Sequence, residues 1–231
     1  MIVLKRNSEI PEPLPDGFVV LIDKEAGCTS FDVVAKMRKI LKIKKIGHAG
    51  TLDPFATGLL ILLVGKATKI QDSLMLSDKV YEAEIKLGER TDSFDKTGKI
   101  IAESDKRVSE EEIRAAVMSF KGEQLQLPPM FSALKKDGKR LYELARKGIE
   151  VEREPRKIII HSIDILECLE ESIRIRVHCS KGTYIRTLAD DIGTRLGTYA
   201  YLKELRRTAV GEHNVEDSLK TDEFRSKISG Q

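Results

Sequence analysis

The 231-residue sequence lacks any apolar run near the roughly 18 residues that a membrane-spanning helix needs. Its longest, Leu59 to Val64, has the length of a strand. The opening MIVLKRNSEI lacks the apolar centre of a signal peptide, so a cytoplasmic location is expected, with no membrane partner. Cysteine is scarce: Cys28, Cys168 and Cys179 are odd in number, far apart and without a C-x-x-C pair. That pattern indicates neither a disulfide framework nor a zinc site, and predicts reduced, buried thiols.

Several catalytic signatures are missing as well. Between Gly58 and Gly65-Lys66 stand six residues where a phosphate-binding loop requires four, and no serine or threonine follows Lys66. There is no H-E-x-x-H, no G-x-S-x-G and no assignable serine nucleophile. His48 and Asp53 lack further ligands at a spacing suited to a metal. Internal repeats and low-complexity tracts are also absent.

What is present is a globular composition, 41% hydrophobic and 33% charged, long enough for one large domain or two small ones. The net charge of +3 is too small to establish a nucleic-acid partner, but its distribution is uneven. Lys36, Arg38, Lys39, Lys42, Lys44 and Lys45 stand together without an intervening acid. Lys135, Lys136, Lys139, Arg140, Arg146 and Lys147 form a second group, and Lys203, Arg206 and Arg207 a third. One such cluster is ordinarily a solvated face; three beside the motifs below favour a surface that follows phosphates.

Residues 1–16, with Pro11, Pro13 and Pro15, read as an extended N-terminal arm. FVVLID, Phe18 to Asp23, reads as a strand, and Val33, Val34, Met37, Ile40 and Leu41 as the apolar stripe of a helix capped by Ser30. Val80 to Leu87 alternates as a strand. Ser109 to Phe120 reads as a helix with a Ser109/Glu112 capping box, stopped by Gly122. Residues 123–156 open on Pro-rich, charged sequence with a short helix near Leu141–Lys147, a long excursion from the core. Strands at 157–166 and 173–179, a helix over 187–196 and a last strand or turn at 202–210 complete the chain. The absence of a βαβ rhythm favours an α+β fold, a mixed and mainly antiparallel central sheet flanked by helices.

The stretch GHAGTLDPFATG, Gly47 to Gly58, is a constrained loop: three glycines permit close approach or positive φ, and Pro54 pushes Asp53 toward extended geometry. Asp53 there is either a turn aspartate or a reactive carboxylate. KGTYIRTLADDIG, Lys181 to Gly193, offers Arg186, which could pair with Asp53 or meet a phosphate, and Tyr184, which could face a base or pack in the core. Tyr81 carries the same two readings on the apolar face of its strand.

These segments, with LIDKEAGCTSFDVV, SDKVYEAEIKLGERTDSFDKTG, LPPMFSALKKDGKRLYELARKGIEV and LRRTAV, resemble the TruB family of bacterial tRNA pseudouridine-55 synthases in the family's order over nearly all of 17–215. The resemblance implies the pseudouridine synthase fold and conversion of the T-loop uridine of tRNA to pseudouridine, an isomerase needing no cofactor, metal or protein partner. Asp53 matches the family's nucleophile and Arg186 its partner. His48 matches the residue that fills the stack left by the flipped uridine, Tyr81 the aromatic against the target base, and Tyr184 and Leu205 residues lining the uracil pocket. Residues 123–152 match a mobile thumb within a catalytic domain of 17–231. After LRRTAV about twenty residues remain, so a separate C-terminal PUA-type module is not expected, and a monomer is. Two alternatives stay open: the related guide-dependent synthase, and a tRNA-folding or binding protein without catalysis.

Overall fold

The computed structural model describes residues 1–230 except Asp137. The chain divides into two compact units, one of residues 1–81 with 205–231 and one of 82–204. Along the chain, the first unit begins with β1 (Ile2–Leu4), β2 (Gly17–Lys24), α1 (Ser30–Leu41), β3 (Ile46–His48), β4 (Thr57–Gly65) and α2 (Gln71–Met75). Then follow β5 (Lys79–Leu87), β6 (Glu89–Thr91), β7 (Ile100–Glu103), α3 (Glu110–Met118) and β8 (Gly122–Gln126). Next come β9 (Lys135–Lys136), β10 (Lys139–Arg140), α4 (Leu141–Ala145), β11 (Arg156–Cys168), β12 (Ser172–Cys179) and α5 (Ile185–Leu196). The chain closes with β13 (Ala200–Val210), β14 (His213–Asn214) and α6 (Thr221–Ser229).

Ten strands belong to a mixed sheet, as an α+β reading requires. In the first unit the order is β1-β2-β4-β13, with β3 on β4 and β14 on β13. The β1–β2 and β4–β13 pairs are parallel and the others antiparallel. The apolar run 59–64 is explained by burial on both faces. Leu60, Leu62 and Val64 join Phe18, Val20 and Ile22 against α1 and Phe224 of α6, while Leu59, Ile61 and Leu63 join Val19 and Leu21 on the other side. The arm contributes more than extended chain, since β1 pairs with β2 and Leu4 and Ile10 are buried.

In the second unit the order is β5-β12-β11-β8. The α3 helix has the expected Ser109/Glu112 box but ends at Met118, before Gly122. Gly122 instead opens β8, whose residues pair with β11, so residues 123–126 belong to the sheet and the excursion starts beyond them. Helix α5 begins at Ile185, two residues ahead of the expected start, which puts Arg186 inside its first turn.

A candidate active-site loop and its supports

The loop carrying Asp53 is held from below by two cations. Lys24, about 1% exposed, donates to the carbonyl oxygens of Glu25 (2.9 Å), Pro54 (3.3 Å) and Ala56 (2.7 Å). Arg207, equally buried, donates from Nε to Leu59 O (2.8 Å) and from its two Nη atoms to Thr51 O (3.5 Å) and Gly50 O (3.1 Å). Five carbonyls of residues 50–59 are thereby satisfied by charged donors, stronger partners than neutral ones. Burial draws the Lys24 ammonium below the ordinary lysine range; Cys28 and the Asp53 carboxylate oppose that fall, and Arg207 adds to it. Asp53 itself is half-buried.

Ser30 was expected to cap α1, but Thr29 does so, in a capping box with Asp32. The box satisfies two backbone donors at the helix start and leaves the Ser30 hydroxyl for another task. It accepts from the Leu52 N–H (2.9 Å) and lies 3.2 Å from Leu52 O, fixing the residue before Asp53. The Asp53 carbonyl accepts from Ala56 N (3.1 Å) and the Pro54 carbonyl from Gly27 N (2.9 Å).

His48 ends β3, opposite Leu62 of β4. Burial and the Arg207 charge lower its pKa below the ordinary histidine value, against a hydrogen bond to the Gly50 backbone that raises it, and the balance favours the neutral imidazole. Leu205 is buried beside the end of the same loop: its carbonyl lies 3.5 Å from Thr57 Oγ1, and the following residues pair with Thr57 and Gly58. The neighbour Arg206 is held by Asp23 at 2.9 and 3.0 Å. Tyr81, half-buried on β5, follows Val80, whose carbonyl accepts from Thr208 Oγ1 (3.3 Å) of β13. The first unit therefore places His48, Asp53 and Leu205 on one loop and its flanking strands.

The second unit holds Tyr184 and Arg186. Tyr184 is the N-cap residue of α5, and buried Gln126 grips it twice, accepting from its N–H (2.8 Å) and donating to its carbonyl (3.0 Å). Arg186 is about 5% exposed. A cation in the first turn of a helix faces the positive end of the helix dipole and needs compensation. Asp95 supplies it, with Oδ2 3.6 Å from Arg186 Nη1, while Arg186 also donates to Phe131 O (2.7 Å) and Ser93 O (3.4 Å). Asp95 is fixed in turn by Ser93 Oγ (2.8 Å), Thr97 N (2.9 Å) and Thr97 Oγ1 (2.6 Å). In the sequence Lys24, Asp95 and Gln126 carry no assigned role, Ser30 reads as the helix cap and Arg207 counts in a phosphate-following cluster, whereas Arg207 is buried on carbonyls of the loop. Only Asp95, in TDSFDKTG, carried a local sign, a dense run of turn-forming side chains.

Comparison with known proteins agrees with the fold and these motifs. A family model described as TruB family pseudouridylate synthase (N terminal domain) matches residues 38–185, and one described as tRNA pseudouridylate synthase B C-terminal domain matches 186–229. The chain belongs to the TruB family. It is 49% identical to a tRNA pseudouridine synthase B of Clostridium tetani over 90% of this chain and 73% of that protein. With one from Azoarcus sp. (strain BH72) the identity is 51%, over 90% of this chain and 69% of the other. A solved Cbf5-Nop10-Gar1 complex contains a chain 31% identical, with a TM-score of 0.67, covering 92% of this chain and 59% of its own. An H/ACA RNP bound to a substrate RNA containing 2'-deoxyuridine gives 28% identity and a TM-score of 0.69, over 100% of this chain and 64% of the other. These likenesses support the pseudouridine synthase fold expected from the sequence. Among the described residues, no helix is long and apolar enough to cross a membrane.

Proposed function

We propose that this chain isomerises the T-loop uridine of tRNA, position 55, to pseudouridine in the cytoplasm as a monomer, with Asp53 as nucleophile. The observation that carries this is the support of Asp53 itself. A half-buried carboxylate sits in a loop whose backbone is pinned by Lys24, Arg207 and Ser30, the preorganisation a reacting group requires. Relatives named tRNA pseudouridine synthase B are 49% and 51% identical to this chain over the 210 and 207 residues that align.

The reaction balances without an oxidant or reductant. The C1′–N1 bond breaks, C1′ bonds to C5, the C5 hydrogen leaves as a proton and N1 ends protonated. A uracil inside folded RNA must first leave its stack, which costs a few kcal/mol. Neutral His48 is assigned to the vacated stack and Tyr81 to the face of the extruded base, contacts of about 1–3 kcal/mol each. Tyr184 and Leu205 are assigned to the uracil pocket, Arg186 to the aspartate's cationic partner, and the excursion with α4 to a thumb over the stem-loop.

Purified protein mixed with tRNA transcript tritiated at uridine C5 should release tritium, and Asp53→Asn should bind the transcript without release. Release by Asp53→Asn would overturn the assignment. Release only after adding a guide RNA or a second protein would favour the guide-dependent reading, and binding without release by the wild type would favour a binding protein.

A further inference from the structure

Beyond the residues the family resemblance assigns, the second unit contains an ion pair between Arg90, at β6, and Asp190, on α5. Asp190 is about 5% exposed. Arg90 Nη2 donates to its Oδ2 at 2.7 Å, and Nε lies 2.6 Å from its Oδ1. The guanidinium also lies over the Phe94 ring, 5.2 Å from the centroid. Phe94 adopts a φ of 62°, a left-handed conformation costly for an aromatic residue, so this part of the loop is held in place against its own preference. The Phe94 N–H donates to Thr91 O (3.2 Å) and its carbonyl accepts from Leu202 N (2.9 Å).

Arg186 and Asp190 stand one helical turn apart on the same face of α5. The 90–98 segment meets that face with the opposite order of charge, Arg90 on Asp190 and Asp95 on Arg186. A slip of one turn in one direction would set Asp190 against Asp95; in the other it would set Arg186 against Arg90. Like charges buried together are costly, so the crossed pairs permit one register of helix on loop. Besides its bonds to Phe131 O and Ser93 O, Arg186 is thereby located by two ion pairs, its own with Asp95 and, four residues on, the one its helix makes with Arg90.

We propose that Arg90 and Asp190 are positioning residues for the modification reaction, setting the placement of α5 and so the aim of the Arg186 guanidinium. The inference rests on the assignment of Arg186 under the proposed function. Neither residue touches RNA in this role. Their loss therefore slows the chemical step and leaves tRNA affinity alone.

The test is single-turnover tritium release with enzyme in excess over C5-tritiated tRNA, beside filter binding and a thermal melt. Arg90→Lys keeps the charge and the ring contact but loses the planar fork, and serves where Asp190→Asn folds poorly. The rate should fall by roughly 10- to 100-fold in either variant, as for an ångström-scale misplacement. The tRNA Kd should stay within about twofold, since only interactions made in the transition state are lost. A purely structural role would lower the melting temperature and the active fraction, which leaves the rate unchanged when enzyme is in excess. In an Arg186→Lys background, Arg90→Lys should slow release no further. Wild-type rates in both single variants, a loss confined to Kd, or full additivity with Arg186→Lys would overturn the proposal. A wild-type rate for Arg186→Lys itself would overturn the assignment of Arg186, and the positioning role with it; the Asp53→Asn result is independent of all these arms.

Discussion

Ser30 is a small residue with a large part in this site. Its hydroxyl accepts from the Leu52 N–H at 2.9 Å in a buried setting, one residue from Asp53. Ser30→Ala leaves that donor unpaired, at a cost of about 1–3 kcal/mol. Urea unfolding should register that loss, and single-turnover release should slow while tRNA binding is unchanged. Asp191 offers a test through pH. Burial first, and then the charge of Asp190, push its pKa from 3.8 to about 6, against a smaller pull from Arg90. The folded state thus holds the proton more tightly than the unfolded chain does. The sign follows: Asp191 is without penalty below about pH 4, and stability falls as pH rises through about 6. Asp191→Asn should therefore raise the melting temperature at pH 7.5 and change it little at pH 4. For a chain of this size each kcal/mol moves the melting point by roughly 2–4 °C.

Among the elements, the β4–β13 pair decides where the loop of Asp53 ends. Gly58 pairs with Arg207 at φ +103°, and an added Cβ there would lie 2.2 Å from the Arg207 carbonyl oxygen. Backbone cannot yield as a flexible side chain can. Gly58→Ala is expected to destabilise the protein by more than about 3 kcal/mol, or to abolish its soluble expression. Gly27 is the control. It also has positive φ (+84°) but open space around the missing Cβ, so Gly27→Ala should cost only about 1–2 kcal/mol in the same urea titration. Helix α5 shows an element serving two ends. Its N-terminus carries Arg186 against the dipole, and Gly193 lets it approach β13, where a Cβ would stand 2.3 Å from Ala200 N.

For the whole molecule, the modest net charge conceals a directed one. Lys39, Lys42, Lys44 and Lys45 are exposed at the end of α1 and the turn leading to β3 and His48. Arg38 ties that helix to β3 through Ile46 O at 3.0 Å. Replacing the four lysines by glutamine should weaken tRNA binding. It should also flatten the salt dependence by about 0.7–0.9 per lost phosphate contact, read by filter binding between roughly 50 and 200 mM salt. Release at saturating enzyme should not change.

Periodicity located the longer elements and missed the short strands. The alternation of Val80 to Leu87 and the stripes at Val33–Leu41 and Ile113–Val117 are local consequences of side-chain spacing, and the elements follow them to within a few residues. Helix α6 escaped, because it buries little beyond Phe224 and its stripe is faint. The end of the α1 cap shifted by one residue because Thr29 and Ser30 are equally able caps in isolation; only the presence of Leu52 across the fold assigns them different partners. Asp53, His48, Tyr81, Tyr184, Arg186 and Leu205 could be proposed from the sequence because they stand in short motifs. Their supports could not, since Lys24, Gln126 and Arg207 act on backbone atoms, and Asp95 on the Arg186 side chain, across tens to more than a hundred residues of chain. Sequence by itself determined which groups could react and which segments would become strands and helices, because those are matters of residue type and local spacing. Tertiary structure alone decided that two buried cations would hold the loop of Asp53, and that Asp95 would face Arg186. Those depend on which carbonyls and charges are left without water when distant segments meet.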